Sequence, residues 1–210
     1  MNVLLLGPQG SGKGTQARIL CEKYGFFYFE SGAYLRKMAQ DNSNIKKIMD
    51  EGKLVPDEEF TSYLTAFLDE KNLYDDILFD GFPRTVEQYE FLKDWLDDKK
   101  VKLDLLIVIE ISIKETIRRL SSRRMDPDTG KIYNLLTDKP PVGVDIKKLI
   151  QRDDDKSEAI KKRLAWHEDR VKLLIARLKK EIKVIEIDGE RPVQEISADL
   201  ARIIDDTNKN

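Results

Sequence analysis

Short apolar runs recur along the chain, separated by longer stretches in which apolar residues keep a helical spacing. The runs are almost uniformly apolar rather than alternating, which is typical of strands covered on both faces. Because they alternate with helical patterns, they predict an α/β fold with a five-stranded parallel sheet flanked by helices. The runs lie at 3–6, 26–29, 77–79, 105–111 and 184–187.

The strongest helical pattern spans residues 157–182, and a second begins after Pro192. A proline suits the first turn of a helix, where its missing N–H costs nothing. Apolar spacings of three and four residues predict one buried face on each helix. The apolar positions are Ile160, Leu164, Val171, Leu174, Leu178 and Ile182 in the first segment, and Val193, Ile196, Leu200 and Ile203 in the second.

Two stretches interrupt this alternation. Residues 30–55 are polar and helical in pattern, and residues 122–155 are rich in turn-forming residues with short strand-like pieces. A chain of 210 residues can bury one good core, so both stretches are predicted to be insertions on one α/β unit. The core would then consist of residues 1–29, 56–121 and 156–210.

The composition is typical of a soluble globular protein, with 40% hydrophobic and 36% charged residues. A net charge of −2 lacks the basic excess of nucleic-acid-binding proteins, so an anionic substrate would need a local cluster of cations. The only cysteine is Cys21, which excludes an internal disulfide and a thiolate metal cage. No apolar run reaches the length of a signal peptide or a membrane span. We therefore expect a cytoplasmic protein that binds neither nucleic acid nor membrane.

The segment 7–15, GPQGSGKGT, follows the first predicted strand and precedes a helix predicted to begin near Lys13. In this context a glycine-rich segment is typical of a phosphate-binding loop (P-loop), whose backbone N–H groups and helix N-terminus face phosphate oxygens. Lys13 would supply positive charge to the β- and γ-phosphates. A plain glycine-rich turn is the alternative, and the lysine together with the flanking strand and helix disfavours it.

The residue after the lysine departs from the usual P-loop pattern. That position normally carries Ser or Thr, whose hydroxyl binds Mg²⁺, but here it is Gly14, with Thr15 one residue later. We therefore expect Mg²⁺ to be held by the nucleotide phosphates, by water and by a carboxylate acting through water. Asp80, at the end of the third predicted strand, is the candidate carboxylate.

A second motif, DGFPRT at 80–85, follows the third predicted strand. Loops at the carboxyl ends of parallel strands line the ligand crevice, so Arg84 is predicted to face the P-loop. Arg119 and Arg123 would share a helix face if 117–124 is helical. Arginine matches phosphate geometry, and positioned cations carry most of the catalysis in phosphoryl transfer. The alternative interpretations are that Arg84 is an ordinary surface residue and that Arg119 and Arg123 lie on a solvated helix face.

These motifs resemble, in order and along nearly the whole chain, those of adenylate kinases. DGFPRT is highly specific to nucleoside monophosphate kinases. The resemblance implies a monomer that uses ATP–Mg and AMP and yields two ADP, with a monophosphate-binding insertion at 30–55 and a long lid at 122–155. The matching segments are 12–15, 31–36, 52–55, 80–84 with Gln88, 119–124, 130–133, 152–154 and 162–164.

The resemblance also implies a role for each matching residue, and a cis peptide bond before Pro83. AMP would be bound by Ser31, Arg36, Lys53, Leu54, Val55, Gly81, Phe82, Pro83, Arg84, Gln88, Arg152 and Arg163. ATP would be bound by Gly10, Ser11, Gly12, Lys13, Gly14, Thr15, Arg119, Arg123, Ile132, Tyr133 and the backbone near Arg191. Catalysis would depend on Lys13, Arg84, Arg123, Arg152 and Arg163.

Two features depart from the family's pattern. Ala33 stands where relatives usually carry an aspartate, which removes a possible polar link between the two insertions. Many relatives hold the lid with cysteine-bound zinc, but this lid has no cysteine, so no zinc is expected. Asp126, Asp128 and Thr129 are expected to form a hydrogen-bonded substitute.

The leading hypothesis is therefore an adenylate kinase. A UMP/CMP kinase, or a broader monophosphate kinase on the same scaffold, is the closest alternative. The long lid and Gln88 favour AMP, because an amide can pair both its donor and its acceptor with the adenine edge. A P-loop protein that binds nucleotide without catalysis is the other class, and the intact lysine and arginines speak against it.

Overall fold

The computed structural model describes residues 1–50, 55–136, 139–151, 155, 160 and 170–209. Within this part of the chain, five strands form one parallel sheet, as the apolar runs predict. Each strand differs from its predicted run by one or two residues at one or both ends. The strands are β1 (Asn2–Leu6), β2 (Phe27–Glu30), β3 (Ile77–Asp80), β4 (Leu103–Glu110) and β7 (Lys183–Asp188), in the order β2-β3-β1-β4-β7.

Helices cover both faces of this sheet. β1 shows why its sequence is apolar throughout: Leu4 and Leu6 belong to the core on one face, and Val3 and Leu5 to the core on the other. The helices are α1 (Lys13–Tyr24), α2 (Ser31–Asp41), α3 (Ser43–Asp50), α4 (Asp57–Glu70), α5 (Val86–Asp98), α6 (Ile113–Ser121), α7 (170–178) and α8 (Val193–Asn208).

α4, α5 and α7 pack on the first face, and α1 and α8 on the second. None of the helices in the described ranges is long and apolar enough to cross a membrane. A three-layered α/β sandwich of this kind buries the sheet and leaves the loops at its carboxyl edge to form a site.

The two C-terminal helices show the apolar faces expected from their spacing, with one exception. Val193 is 39% exposed, because the buried face of α8 continues towards the C-terminus through Ile204 instead. Pro192 lies just before the helix rather than in its first turn, and its carbonyl accepts a hydrogen bond from Ile196 N. Positions 157–159 and 161–169 of the predicted 157–182 helix lie outside the described residues, and α7 ends at 178, four residues earlier than predicted. The buried positions are Val171, Leu174 and Leu178 on α7, and Ile196, Leu200 and Ile204 on α8.

Residues 31–50 form the helical pair α2 and α3, which agrees with the helical pattern of the first interruption. β2 extends through Glu30, so the strand leads directly into α2. Tyr34 of α2 packs against Phe29 and donates a hydrogen bond to the Tyr63 carbonyl on α4. These contacts attach the helical pair to the sheet and to α4.

The second interruption contains an antiparallel hairpin of β5 (Arg123–Met125) and β6 (Ile132–Asn134), followed by a 3₁₀ turn (Ile146–Lys148). The turn that joins the two strands is held by Asp126, whose Oδ1 accepts from the backbone N–H of Asp128 and of Thr129. The condition under which Arg119 and Arg123 would share a helix face, a helix over 117–124, is not met. α6 ends at Ser121, because Arg123 pairs with Asn134 in the hairpin.

Candidate active site

The P-loop joins β1 to α1 at the carboxyl edge of the sheet, as predicted. At Gly7 the backbone has φ 145°, and a Cβ there would lie 2.2 Å from the Ile109 carbonyl oxygen. Gly12 has φ 96° and immediately precedes α1, which begins at Lys13. Glycine is required at the first position for space and is favoured at both for conformation.

Two side chains of the loop face its interior. The Lys13 ammonium donates hydrogen bonds of 2.8 Å to the carbonyl oxygens of Gly7 and of Pro8. The Ser11 hydroxyl is buried and has no hydrogen-bond partner among the described residues. An unpaired buried hydroxyl costs free energy, and a phosphate oxygen held by the loop would relieve that cost.

Asp80 ends β3 beside the loop and is only 7% exposed. Its Oδ2 accepts a 2.8 Å hydrogen bond from the Tyr28 hydroxyl on β2. A Cβ at Gly14 would lie 3.8 Å from the same oxygen, so the usual P-loop Ser or Thr would have been its direct neighbour. Burial raises the pKa of Asp80, while the charge of Lys13 and the Tyr28 hydrogen bond oppose that rise.

The charges of three other predicted site residues act on the Lys13 ammonium. Burial lowers its pKa to about 8, the nearby Asp80 carboxylate opposes this, and Arg84 and Arg123 lower it further. Glu30 opposes the lowering as well, so Lys13 belongs to a cluster of three cations and two carboxylates, which carries a net positive charge. Such a cluster is what a bound polyphosphate would neutralise.

Arg84 lies on the acceptor side, in the loop between β3 and α5. Its Nε donates 2.6 Å to the Gly81 carbonyl, and its Nη2 lies 3.3 Å from the Ser31 hydroxyl, which itself donates to the same carbonyl. Gly81 has φ 72°, and a Cβ there would lie 3.1 Å from both Arg84 Nη2 and Ser31 Oγ. The peptide bond between Phe82 and Pro83 is cis, which confirms that prediction.

Gln88 is 4% exposed in the first turn of α5. Its Oε1 accepts a 2.7 Å hydrogen bond from Arg84 N, and its Nε2 donates 2.8 Å to Asp57 Oδ1. The Thr85 hydroxyl caps the helix by accepting from Gln88 N and donates to Asp57 Oδ2. Arg36, also predicted on this side, forms a 2.9 Å ion pair with Glu30.

Arg119 lies on α6 and reaches the donor side of the site. Its Nη1 donates to the Gly10 carbonyl at 3.2 Å and its Nη2 to the Gly189 carbonyl at 2.9 Å. Glu115 fixes the same guanidinium through a 2.6 Å bond to Nε. Arg119 therefore ties the P-loop to the loop between β7 and α8. Arg191 in that loop directs its guanidinium to Asp199 and Glu195, so only its backbone remains available for the predicted role.

Arg123 lies on β5 and is held by Asp155, a residue that is 1% exposed. The guanidinium donates to both carboxylate oxygens, with Nε 2.7 Å from Oδ2. A bidentate pair of this kind fixes the plane of the guanidinium. Tyr133 on the paired strand is buried, next to Ile132.

Some predicted residues lie outside the described part of the chain, namely Lys53, Leu54, Arg152 and Arg163. Val55 is described and is 3% exposed in the core. Three residues at the site were not predicted: Tyr28, Asp57 and Asp155. No motif pointed to these three residues, since an aromatic residue on a strand and acidic residues near helices are common for purely structural reasons. Their partners lie 52, 31 and 32 residues away along the chain.

The fold and the site together define a class of protein. A P-loop at the carboxyl edge of a five-stranded parallel sheet, with a lysine, a buried carboxylate and arginines around it, is typical of nucleotide-binding P-loop proteins.

Comparison with known proteins narrows this class to one family. The family model described as adenylate kinase matches residues 5–183. Relatives named adenylate kinase from Petrotoga mobilis and from a Thermoanaerobacter species are 35% and 36% identical over the full length of both chains. Another from Methanocella arvoryzae is 38% identical and covers 97% of this chain and 98% of its own.

The chain belongs to the adenylate kinase family, whose members transfer a phosphoryl group from ATP to AMP to give two ADP. It is accordingly a phosphotransferase of the nucleoside monophosphate kinase type.

Proposed function

We propose that Lys13, Arg84 and Arg123 stabilise the negative charge of the phosphoryl group as it moves from ATP–Mg to AMP in this chain. The observation that supports this assignment is electrostatic: the charges of Arg84, Arg123 and Asp80 all act on the Lys13 ammonium. Arg152 and Arg163 complete the proposed set, on the basis of the motifs in which they occur.

The chemistry needs no obligatory general base. An ionised phosphate oxygen of AMP attacks the γ-phosphorus of ATP, and the bond from that phosphorus to the β-phosphate oxygen breaks, which leaves ADP on both sides. The transferring group spreads negative charge over its oxygens, so fixed cations lower the barrier. Arg119 acts from the donor side by holding Gly10 and Gly189 in place, and Ser31 and Gly81 hold Arg84 on the acceptor side.

The residues beside the P-loop fit a magnesium ion that is bound mainly by nucleotide and water. Asp80 is a buried carboxylate, and Gly14 leaves space next to its Oδ2. No group of three His, Cys, Asp or Glu that could hold a metal occurs among the residues that the structure describes. Phosphates and water would therefore supply the other ligands, and Asp80 would hold them through water. When bound, magnesium neutralises charge on the β- and γ-phosphates.

In this proposal the two insertions close over the bound nucleotides. Residues 30–55 would bind AMP and residues 122–155 would cover ATP, while the core of 1–29, 56–121 and 156–210 stays fixed. Closure over both nucleotides excludes water, so that phosphate passes to AMP rather than being hydrolysed. The hairpin of β5 and β6 supports this role, since it carries Arg123, whose charge acts on Lys13 of the P-loop.

On the acceptor side, Arg84 would bind the phosphate of AMP and Gln88 its base.

The proposed site is built from one chain, so a monomer suffices. A cytoplasmic location would give the enzyme access to ATP, AMP and ADP. No cysteine-bound zinc forms part of this proposal, because the sequence has one cysteine, Cys21, and it belongs to α1.

The substrate assignment is tested by a coupled assay of ATP consumption with AMP, CMP, UMP and GMP at saturating ATP–Mg. We expect the highest kcat/KM with AMP. A higher value with CMP or UMP would assign the chain to pyrimidine monophosphates instead. No turnover with any of the four would contradict the catalytic proposal altogether.

A further inference from the structure

Asp57, the first residue of α4, connects the two residues that frame the proposed base site. Its Oδ2 accepts a 2.6 Å hydrogen bond from the Thr85 hydroxyl, and its Oδ1 accepts a 2.8 Å bond from Gln88 Nε2. On the opposite side, Gln88 Oε1 accepts a 2.7 Å bond from Arg84 N. Gln88 and Thr85 are both nearly fully buried, at 4% and 3% exposure.

These contacts allow only one orientation of the Gln88 amide. A carboxylate can only accept hydrogen bonds, and a backbone N–H can only donate. If the amide turned over, its oxygen would face the Asp57 carboxylate and its NH₂ would face the Arg84 N–H. Both favourable contacts would become repulsive, in a place where water is largely excluded and repulsion is strong.

The fixed orientation leaves defined hydrogen-bonding groups for a ligand. An amide has two N–H donors and two acceptor lone pairs, and the bonds to Asp57 and Arg84 use one of each. One donor and one acceptor therefore remain, in an order that the protein has set. Adenine offers a donor at N6 and an acceptor at N1, whereas hypoxanthine and guanine offer an acceptor at O6 and a donor at N1.

We propose that Asp57 is a specificity-determining residue that fixes the Gln88 amide so that it pairs with the adenine edge and opposes the reversed edge of 6-oxopurines. This inference rests on the proposed contact between Gln88 and the AMP base. Asp57 need not touch the nucleotide; it acts by positioning Gln88. A site whose polar groups match one edge rejects the reversed edge strongly, because the mismatch leaves buried groups unpaired.

The test compares AMP with IMP, which has the same size and sugar but the reversed base edge. We expect Asp57→Ala to lower the ratio of kcat/KM for AMP over IMP by about tenfold, the net effect of losing roughly one hydrogen bond to a charged group. Asp57→Asn, which can still accept from Gln88, should lie between wild type and Asp57→Ala. The KM for ATP should not change. Glu58→Ala, which removes an exposed carboxylate from the same turn of α4, is the matched control and should leave the ratio unchanged.

Gln88→Leu separates this inference from the proposed function beneath it. If Gln88→Leu leaves the AMP/IMP ratio unchanged, the base contact itself is wrong. If Gln88→Leu lowers the ratio but Asp57→Ala and Asp57→Asn do not, Gln88 selects the base without Asp57, and the inference fails alone. An equal loss for AMP and IMP in the Asp57 variants would make Asp57 merely structural.

The double variant Asp57→Ala with Gln88→Leu gives a further criterion. If Asp57 acts through Gln88, the double variant should have the same AMP/IMP ratio as Gln88→Leu. Additive losses would show that Asp57 affects the base by another route and would overturn the proposal. Melting temperatures of all variants show whether each one folds. If Asp57→Ala does not fold, the AMP/IMP ratio of Asp57→Asn is compared with that of wild type instead.

Discussion

The Tyr28 hydroxyl donates a 2.8 Å hydrogen bond to Oδ2 of Asp80, across the parallel pair of β2 and β3. The carboxylate proposed to bind magnesium through water is therefore supported from a neighbouring strand. Burial raises the pKa of Asp80, and the Tyr28 bond opposes the rise because it stabilises the ionised form. The hydroxyl thus helps to keep Asp80 charged in a site that disfavours its charge.

Tyr28→Phe should raise the pKa of Asp80 further, because the ionised carboxylate loses a donor. The acid limb of kcat/KM for ATP–Mg should then move to higher pH, because the ionised form of Asp80 has lost a hydrogen bond. Steady-state kinetics across the acid range measure this shift. Tyr24→Phe, which removes a tyrosine hydroxyl bonded to Asp205 away from the site, should leave the limb in place. An acid limb at the same pH in Tyr28→Phe and in wild type would show that the Tyr28 hydrogen bond does not affect the ionisation of Asp80.

Lys13→Ala should lower kcat/KM by at least about 10³-fold, the range seen when one charge that stabilises the transition state is removed. The fold should survive, because among the described residues the Lys13 ammonium donates hydrogen bonds only to the loop carbonyls of Gly7 and Pro8. Lys23→Ala, an exposed lysine in the last turn of the same helix, is the control and should keep wild-type activity. Activity of Lys13→Ala within tenfold of wild type, at an unchanged melting temperature, would contradict the assigned site.

The pKa of Lys13 is lowered from 10.5 to about 8, which predicts that the pH profile of kcat/KM for ATP has an alkaline limb. Since kcat/KM reports the ionisation of the free enzyme, its value for ATP should fall as pH rises above about 8. Bound phosphates should hold the proton on Lys13, so kcat should fall only at higher pH. Lys13→Arg stays charged throughout and should lose the limb even if its activity is lower. A limb that persists in Lys13→Arg would belong to another group.

The same pKa has a consequence for folding. Between pH 8 and 10.5 the unfolded chain binds a proton at Lys13 that the native chain has released. The contribution of Lys13 to the free energy of unfolding therefore rises with pH across this window, and it is lost as pH falls through 8. Melting temperatures of wild type relative to Lys13→Ala, followed over that window without nucleotide, should increase with pH. A constant difference would show that the Lys13 pKa is not lowered by folding.

The sequence predicted those features that depend on local pattern. All five strands of the sheet, the P-loop position and the start of α1 follow from apolar runs and from glycines next to Lys13. The end of α6 was not predicted, because only pairing with Asn134, across the hairpin, shows that Arg123 leaves the helix. The Asp57–Gln88 and Arg123–Asp155 contacts also join residues that are distant in sequence. Nothing in the neighbouring residues of an acidic side chain distinguishes such a partner from a solvated carboxylate.

Gly7 and Gly12 provide a test of whether the P-loop glycines are needed for space or only for conformation. Both have positive φ, so alanine at either position should cost about 1–2 kcal/mol in conformational strain. A Cβ at Gly12 would meet no atom within 4 Å, whereas one at Gly7 would lie 2.2 Å from the Ile109 carbonyl oxygen. Gly7→Ala must therefore also displace the loop from β4.

We expect Gly7→Ala to lower the melting temperature by at least twice as much as Gly12→Ala, the latter by roughly 2–8 °C at about 2–4 °C per kcal/mol. ATP binding should weaken more in Gly7→Ala as well, because the Gly7 carbonyl positions the Lys13 ammonium at 2.8 Å. Thermal unfolding and ATP titration of the two variants measure both effects. Equal losses would mean that the approach of Gly7 to Ile109 relaxes at no cost, and that conformation alone explains the glycine at each position.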